Sequence, residues 1–433
     1  MRNSRFSFAY DRTVIATVST SVAAQAALVV SGVIAARALG PHDRGQLALL
    51  ISIAVAGSFV AGLGIPTAVA FAAARDHGSA GAALHALRWW VAGQAAVLVA
   101  VPALAAWVTA GDAGDRAVAL ACVPLGAVSL LLVMYGAAVL QGLGRFTAFN
   151  VLRLAPIAAY AAGAVVVVAA GWATIAAFLV AWAIGNCATA AATALVVARA
   201  LSHPHDGRVD ARELVRYGLK AQIGTASPLE SYQVDQLLVG AVAGPLALGY
   251  YVIGSAFTNL PRFIAQSLGM VAFPRVAERF GRGGARAVAV QALFATVLLA
   301  GGTVVLLELT MGWLVPFFFG AKFAPSVAIA RIMLIGTFCF SMRRVLGDAL
   351  RGVNKPLPAT VAEVLGWAAY GALIVPLATH WGARGGALAI VLSAAISLVF
   401  IAWSARRFVG EAEPAPEGTP VDARKFRLAA KSG

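Results

Sequence analysis

Arg262 and Asp235 each stand inside a long apolar run. A bare charge there costs several kcal/mol and is kept only beside a cavity or a partner. The arginine offers a planar fork of donors suited to a carboxylate or phosphate. The aspartate offers a group that a proton or sodium ion can neutralise. Spacing extends both. Tyr251, Ser255, Asn259, Arg262 and Gln266 follow one another by three or four residues and predict one polar stripe on a helix. Thr225, Pro228, Tyr232 and Asp235 predict another, in which Pro228 removes a backbone donor and leaves carbonyls able to bind an ion or move. Thr360, Glu363, Trp367 and Tyr370 repeat the pattern, and Thr13, Thr17, Ser21 and Gln25 make a milder version. In the first half the comparable cation is Arg153, with Asn150 and Tyr160 on its side by spacing. Such stripes either line a path for a polar substrate or glue helices together. The two arginines also admit snorkelling to lipid headgroups. Glu230 lies off the Asp235 stripe and reads as a structural hydrogen-bonding partner, and Glu308 falls near the outer interface.

The elements that must carry these residues are membrane helices. Charged residues make up 12% of the chain and hydrophobic ones 61%, against roughly 25% charged in soluble domains. Continuous apolar runs of about 20 residues occur near 13–37, 45–72, 86–109, 117–140, 148–170 and 173–198, then 217–242, 246–273, 286–315, 325–347, 357–379 and 384–405. The expected fold is therefore an all-α polytopic membrane protein of about twelve spans. Its parts are a cytoplasmic N-terminus (1–12), an N-lobe of helices one to six (13–198), a cytoplasmic linker (199–216), a C-lobe of helices seven to twelve (217–405) and a disordered tail (406–433). The run from Thr13 is longer than a cleavable leader's core, so it is expected to remain as the first span. Most of the Lys and Arg fall in segments that an even span count puts on one side, which predicts both termini in the cytoplasm.

Two loops repeat each other. Gly40-Pro41-His42-Asp43-Arg44-Gly45 and Gly244-Pro245-Leu246-Ala247-Leu248-Gly249 are both Gly-Pro-x-x-x-Gly, 204 residues apart. Leu140-Gln-Gly-Leu-Gly-Arg145 is echoed by Leu350-Arg-Gly-Val-Asn-Lys355 at an offset of 210, and Gly171-Trp172-Ala173 more weakly by His380-Trp-Gly-Ala383. Ordered echoes at nearly one offset indicate a duplication. In polytopic proteins such repeats usually form transporter halves with the substrate path between them.

Other classes find little support. The three cysteines, Cys122, Cys187 and Cys339, lie in apolar runs and suggest neither a disulfide framework nor a metal cluster. No metalloprotease, serine-hydrolase or phosphate-loop pattern is present. The histidines lie mainly in loops, and His203 and His205 read as a solvated linker. The net charge of +15 is spread over loops, which argues against nucleic acid. Asp112 and Asp115 flank a short outer loop, weak support for a glycosyl-transfer base.

Ala38-Leu-Gly-Pro-His-Asp-Arg-Gly-Gln-Leu-Ala48, Val234-Asp-Gln-Leu-Leu-Val-Gly-Ala241, Leu248-Gly-Tyr-Tyr251 and Leu140-Gln-Gly-Leu-Gly-Arg145 together resemble the polysaccharide and oligosaccharide flippases, of the O-antigen and capsule exporter type. These belong to the multidrug/oligosaccharidyl-lipid/polysaccharide exporter (MOP) superfamily. The resemblance runs from about residue 13 to 405. It implies two six-helix lobes forming a V with alternating access, and flipping of a polyprenyl-diphosphate-linked oligosaccharide across the cytoplasmic membrane. It also implies no enzymatic activity. The substrate-binding residues expected on that footing are Arg153, Arg262, Asn259, Tyr251, Tyr232 and Gln25, with Tyr160 and Trp367 able to stack on sugars. Asp235 and Glu363 are the expected ion-coupling residues. No cofactor is expected beyond a coupling cation, sodium or proton. The expected partners are the lipid-linked oligosaccharide, membrane lipids and polysaccharide assembly enzymes, with no nucleic acid. Multidrug antiport within the same superfamily and a membrane glycosyltransferase or ligase stay open as alternatives.

Overall fold

The computed structural model describes residues 3–76, 78–111, 113–201, 209–225, 233–280 and 284–410, and helices are the regular structure of those residues. In lipid every backbone N–H and C=O must be satisfied within its own segment, and apolar runs rich in Ala, Leu and Val do so as helices. In chain order the elements are α1 (Asn3–Gly62), α2 (Ile65–Arg75), α3 (Ser79–Thr109), α4 (Ala113–Gly142), α5 (Phe146–Ala169), α6 (Ile175–Ala200), α7 (Ala211–Thr225) and α8 (Val234–Ala256). They continue as α9 (Asn259–Arg279), α10 (Ala285–Thr296), a π-helical turn (Val297–Gly301), α11 (Gly302–Phe319), α12 (Ser326–Gly352) and α13 (Leu357–Gly410). Nine stretches among the described residues are long and apolar enough to cross a bilayer. Two of these, Ser19–Gly62 and Leu357–Arg406, each contain two spans joined at a bent glycine, Gly40 and Gly382. The chain is a multi-pass membrane protein.

It divides into two compact units, one of Met1–Thr258, Leu307–Leu334 and Ala369–Ile390, the other of Asn259–Leu306, Ile335–Ala368 and Val391–Gly433. The first holds both Gly-Pro motifs. Gly40 has φ 78° and ψ 178°, and Gly244 has φ 82° and ψ 173°. A side chain is strained at such a φ, and the proline that follows starts a new helical segment without needing an N–H partner. The closing glycines then meet. A methyl group on Gly45 would lie 1.8 Å from the Pro245 carbonyl oxygen, and one on Gly249 would lie 1.9 Å from the Pro41 carbonyl oxygen. The contact is reciprocal, as a pseudo-twofold relation between the repeats requires. Small residues allow this approach where packing, not water exclusion, holds helices together.

The second echo is equally physical. Leu140 and Leu350 accept from the backbone N–H groups of Arg145 and Lys355 at 2.8 and 2.9 Å, around Gly144 (φ 69°) and Asn354 (φ 60°). Both are left-handed helix endings with the same hydrogen bonds. Within each motif a glycine seats a neighbouring helix. A methyl on Gly142 would lie 2.5 Å from the Ala70 carbonyl oxygen of α2, and one on Gly352 would lie 3.0 Å from the Phe273 carbonyl oxygen of α9. The third echo is looser. Gly171 and Gly382 both have positive φ but stand on opposite sides of their tryptophans.

Several spans read as continuous runs are broken. The 45–72 run breaks at Leu63 and Gly64, both with positive φ, so α1 and α2 share it. The 246–273 run breaks after Ala256, with α9 starting at Asn259. Its predicted stripe therefore does not lie on one helix. Hydropathy does not register such breaks, because apolar residues continue through them. In the 199–216 segment α7 starts at Ala211, where the Asp210 carboxylate accepts from the Arg212 N–H at 2.9 Å. Leu214 and Val215 of α7 are buried while Arg212, Glu213 and Arg216 are exposed, the pattern of a surface helix. The second unit has its own core of Val276, Leu350, Val353 and Ile401, packed with Ala349, Ala359, Ala362 and Ala405.

Candidate anion and cation sites

In the second unit, two helices bring arginines to one aromatic ring and a third supplies a carboxylate to one of them. Arg262 enters from the first turn of α9, and Phe340 and Arg343 lie three residues apart on one face of α12. The Arg262 guanidinium carbon lies 5.8 Å from the centre of the Phe340 ring and that of Arg343 lies 5.3 Å from it. Both are within the range of a cation–π attraction, which strengthens when the cation is desolvated. Arg343 also donates from Nη1 to the Glu363 carboxylate of α13. Arg262 is half-buried, and its Nε is buried with no hydrogen-bond partner among the described residues. Arg344 follows Phe340 by four residues, on the same face. Guanidiniums gathered beside a ring at low dielectric are suited to bind a phosphate bidentately.

In the first unit, Asp235 occupies the first turn of α8, where the helix dipole favours a carboxylate. Its side chain accepts from the Tyr251 hydroxyl at 2.9 Å. Asp235 is 8% exposed and Tyr251 fully buried. The tyrosine ring is enclosed in part because Gly386 lies against it, a methyl there falling 3.5 Å away. Tyr370, also fully buried, lies close enough to interact with both. The Ser52 hydroxyl of α1 contacts Gln233 at 3.3 Å and Gln236 at 3.4 Å. The Asp235 carboxylate is thus nearly dry and hydrogen-bonded to a phenol, a place where a proton or a small cation can be held.

The expected residues separate accordingly. Arg262 and Glu363 come to one cluster, and Asp235 and Tyr251 to another. Tyr251 presents no ring surface for a sugar. Its burial makes it a positioning partner of Asp235 instead. Arg153 is exposed on α5, whereas Asn150 three residues before it is buried, so the two do not share an environment. Asn259 and Gln25 are half-buried, and Gln266 is exposed. Tyr232, with Pro228 and Glu230, lies outside the described residues. Glu308 pairs with Arg331 at 3.7 Å. Arg343 and Arg344 are absent from the sequence-based set, although two consecutive arginines within the 325–347 run are a signal that a partner or ligand is needed.

Residues 33–328 match a family model described as polysaccharide biosynthesis protein. No curated protein sequence matches the chain. Among solved structures, the lipid II flippase MurJ in an inward closed conformation aligns with a TM-score of 0.67 at 13% identity, over 90% of this chain and 87% of that one. An inward-facing multidrug resistance MATE family transporter of the MOP superfamily aligns with the same TM-score at 15% identity, over 90% and 95%. A MOP superfamily transporter from Pyrococcus furiosus Vc1, reported with a binding pocket of reverse polarity, gives 0.58 at 14%, over 92% and 96%. At these identities the likeness establishes the fold, that of MOP-superfamily transporters.

Proposed function

The chain belongs to the polysaccharide biosynthesis protein family, and from that premise we propose that it flips a lipid-linked oligosaccharide, carried on a polyprenyl diphosphate, across the membrane. The observation that carries this reading is the meeting of Arg262 and Arg343 at Phe340 within membrane helices. A diphosphate is the part of such a substrate most costly to desolvate, and paired guanidiniums at low dielectric offset that cost. No covalent step is involved. The protein exchanges water around the head group for arginine donors and hands it to the other side. We place the chain in a bacterial cytoplasmic membrane with both termini inside, on the distribution of its arginines. The two repeats act as the two lobes, and enzymes of polysaccharide assembly are its functional neighbours.

Asp235 supplies the coupling site in this scheme. A proton or sodium ion neutralises it and favours one lobe arrangement, by no more than the ion's differential affinity for the two states. The same buried carboxylate supports a second reading, antiport of a drug against protons or sodium. The test is transport by Arg262 variants. Arg262→Ala is expected to lower lipid-linked oligosaccharide export at least about tenfold at unchanged protein abundance, and Arg262→Lys to recover part of it. Full export by the alanine variant returns Arg262 to a headgroup-facing role, whereas no export of lipid-linked oligosaccharide by the wild-type protein favours the antiport reading.

A further inference from the structure

We propose that Glu363 is a built-in counter-anion, which holds Arg343 while the site has no substrate and yields it to the substrate's phosphate. This deepens the flippase reading and rests on it for the identity of the phosphate carrier. Three observations carry it. At Phe340 two guanidiniums, Arg262 and Arg343, meet, and Arg343 is held by the Glu363 carboxylate. The two ends of the Arg343–Glu363 pair also differ in access. Arg343 is 8% exposed and Glu363 21%. The carboxylate is the reachable partner, so it can swing away while the guanidinium stays seated on the ring. Lastly, the Arg262 Nε is buried with no partner among the described residues, although such a group is normally hydrogen-bonded.

The chemistry follows from the fork of the guanidinium, which fits a carboxylate and a phosphate in the same way. Arg343 left without an anion would be strongly destabilising, so this guanidinium needs a counter-charge at every stage of the cycle. Glu363 fills that role and sets the affinity. A phosphate must compete with a tethered carboxylate, which limits how tightly substrate is held and allows its release. A diphosphate competes better than a singly charged anion, because it can engage Arg262 and Arg343 together.

The experiment is titration of the purified full-length protein in detergent with inorganic pyrophosphate, alongside its thermal melting. Glu363→Gln keeps the side-chain shape and removes the competing charge. It is expected to bind pyrophosphate about tenfold tighter than wild type, the effect of one unit charge a few Å from the anion. Arg343→Gln combined with Glu363→Gln leaves no buried charge unpaired at this position. It is expected to fold and to bind more weakly than wild type. Unchanged or weaker binding by Glu363→Gln overturns the proposal and reduces the pair to a structural bridge, as does pyrophosphate binding by none of the proteins. Transport of lipid-linked oligosaccharide in proteoliposomes separates the two claims. Transport with no tightening in Glu363→Gln sinks this inference alone, and tightening without such transport sinks the flippase reading alone.

Discussion

Alanine at Gly249 tests the duplicated architecture where its two Gly-Pro motifs touch. In an ordinary helix position the change gains about 1 kcal/mol, because alanine loses less backbone entropy than glycine. Here the added methyl would lie 1.9 Å from the Pro41 carbonyl oxygen and 3.3 Å from the Gly45 nitrogen. The two helical segments must part by more than 1 Å to reach an ordinary contact, an overpacking that costs about 1–3 kcal/mol. The net expectation is a loss of up to about 2 kcal/mol, a fall of up to a few degrees in melting temperature for a chain of this size. Gly45→Ala meets the same obstacle from the other side at 1.8 Å and is expected to match it. The double variant is expected to cost less than the two losses together, since a single separation relieves both contacts. Gly32→Ala in α1, with nothing within 4 Å of the new methyl, is the reference and is expected to be neutral or slightly stabilising. The assay is thermal unfolding of the purified protein in one detergent at one protein concentration. Melting of Gly249→Ala together with Gly32→Ala would refute the reciprocal contact.

Asp235→Asn is expected to abolish the dependence of transport on an imposed sodium or proton gradient, and retention of full gradient-driven transport in vesicles would end its coupling role. Tyr251→Phe, which removes a hydrogen bond to a charged group, is expected to cost about 1.5–3 kcal/mol in stability and to weaken coupling without abolishing it. For topology, single cysteines in a cysteine-free background serve. Lys322→Cys is expected to react with an impermeant maleimide in intact cells and Lys355→Cys after permeabilisation alone, and the reverse pattern would invert the orientation.

The duplication was legible because its signals are local. A glycine before a proline at a tight bend, and a left-handed residue closing a helix, are requirements of a few successive backbone angles, and Gly40, Gly244, Gly144 and Asn354 meet them. The helix breaks at Leu63–Gly64 and after Ala256 were not legible, since hydropathy averages over about twenty residues. The stripe through Tyr251 and Arg262 failed for a related reason. Spacing shows that residues share a face only while the helix is continuous, and α8 ends before α9 begins. Nor does spacing tell a face turned to water from one turned to protein, which is why Tyr251 proved fully buried on Asp235. The Arg343–Glu363 pair joins two different helices, so neither periodicity nor motif announces it.

The central claim is tested most directly by reconstitution. Purified protein would be placed in vesicles carrying a fluorescent polyprenyl-diphosphate oligosaccharide in one leaflet, and a membrane-impermeant glycosidase would report how much sugar reaches the other. The flippase account predicts that wild type exposes the sugar well above the rate of protein-free vesicles, and that Arg262→Ala does not. Sugar exposure no faster than in protein-free vesicles, with a cationic drug exchanged for protons by the same preparation, would contradict it.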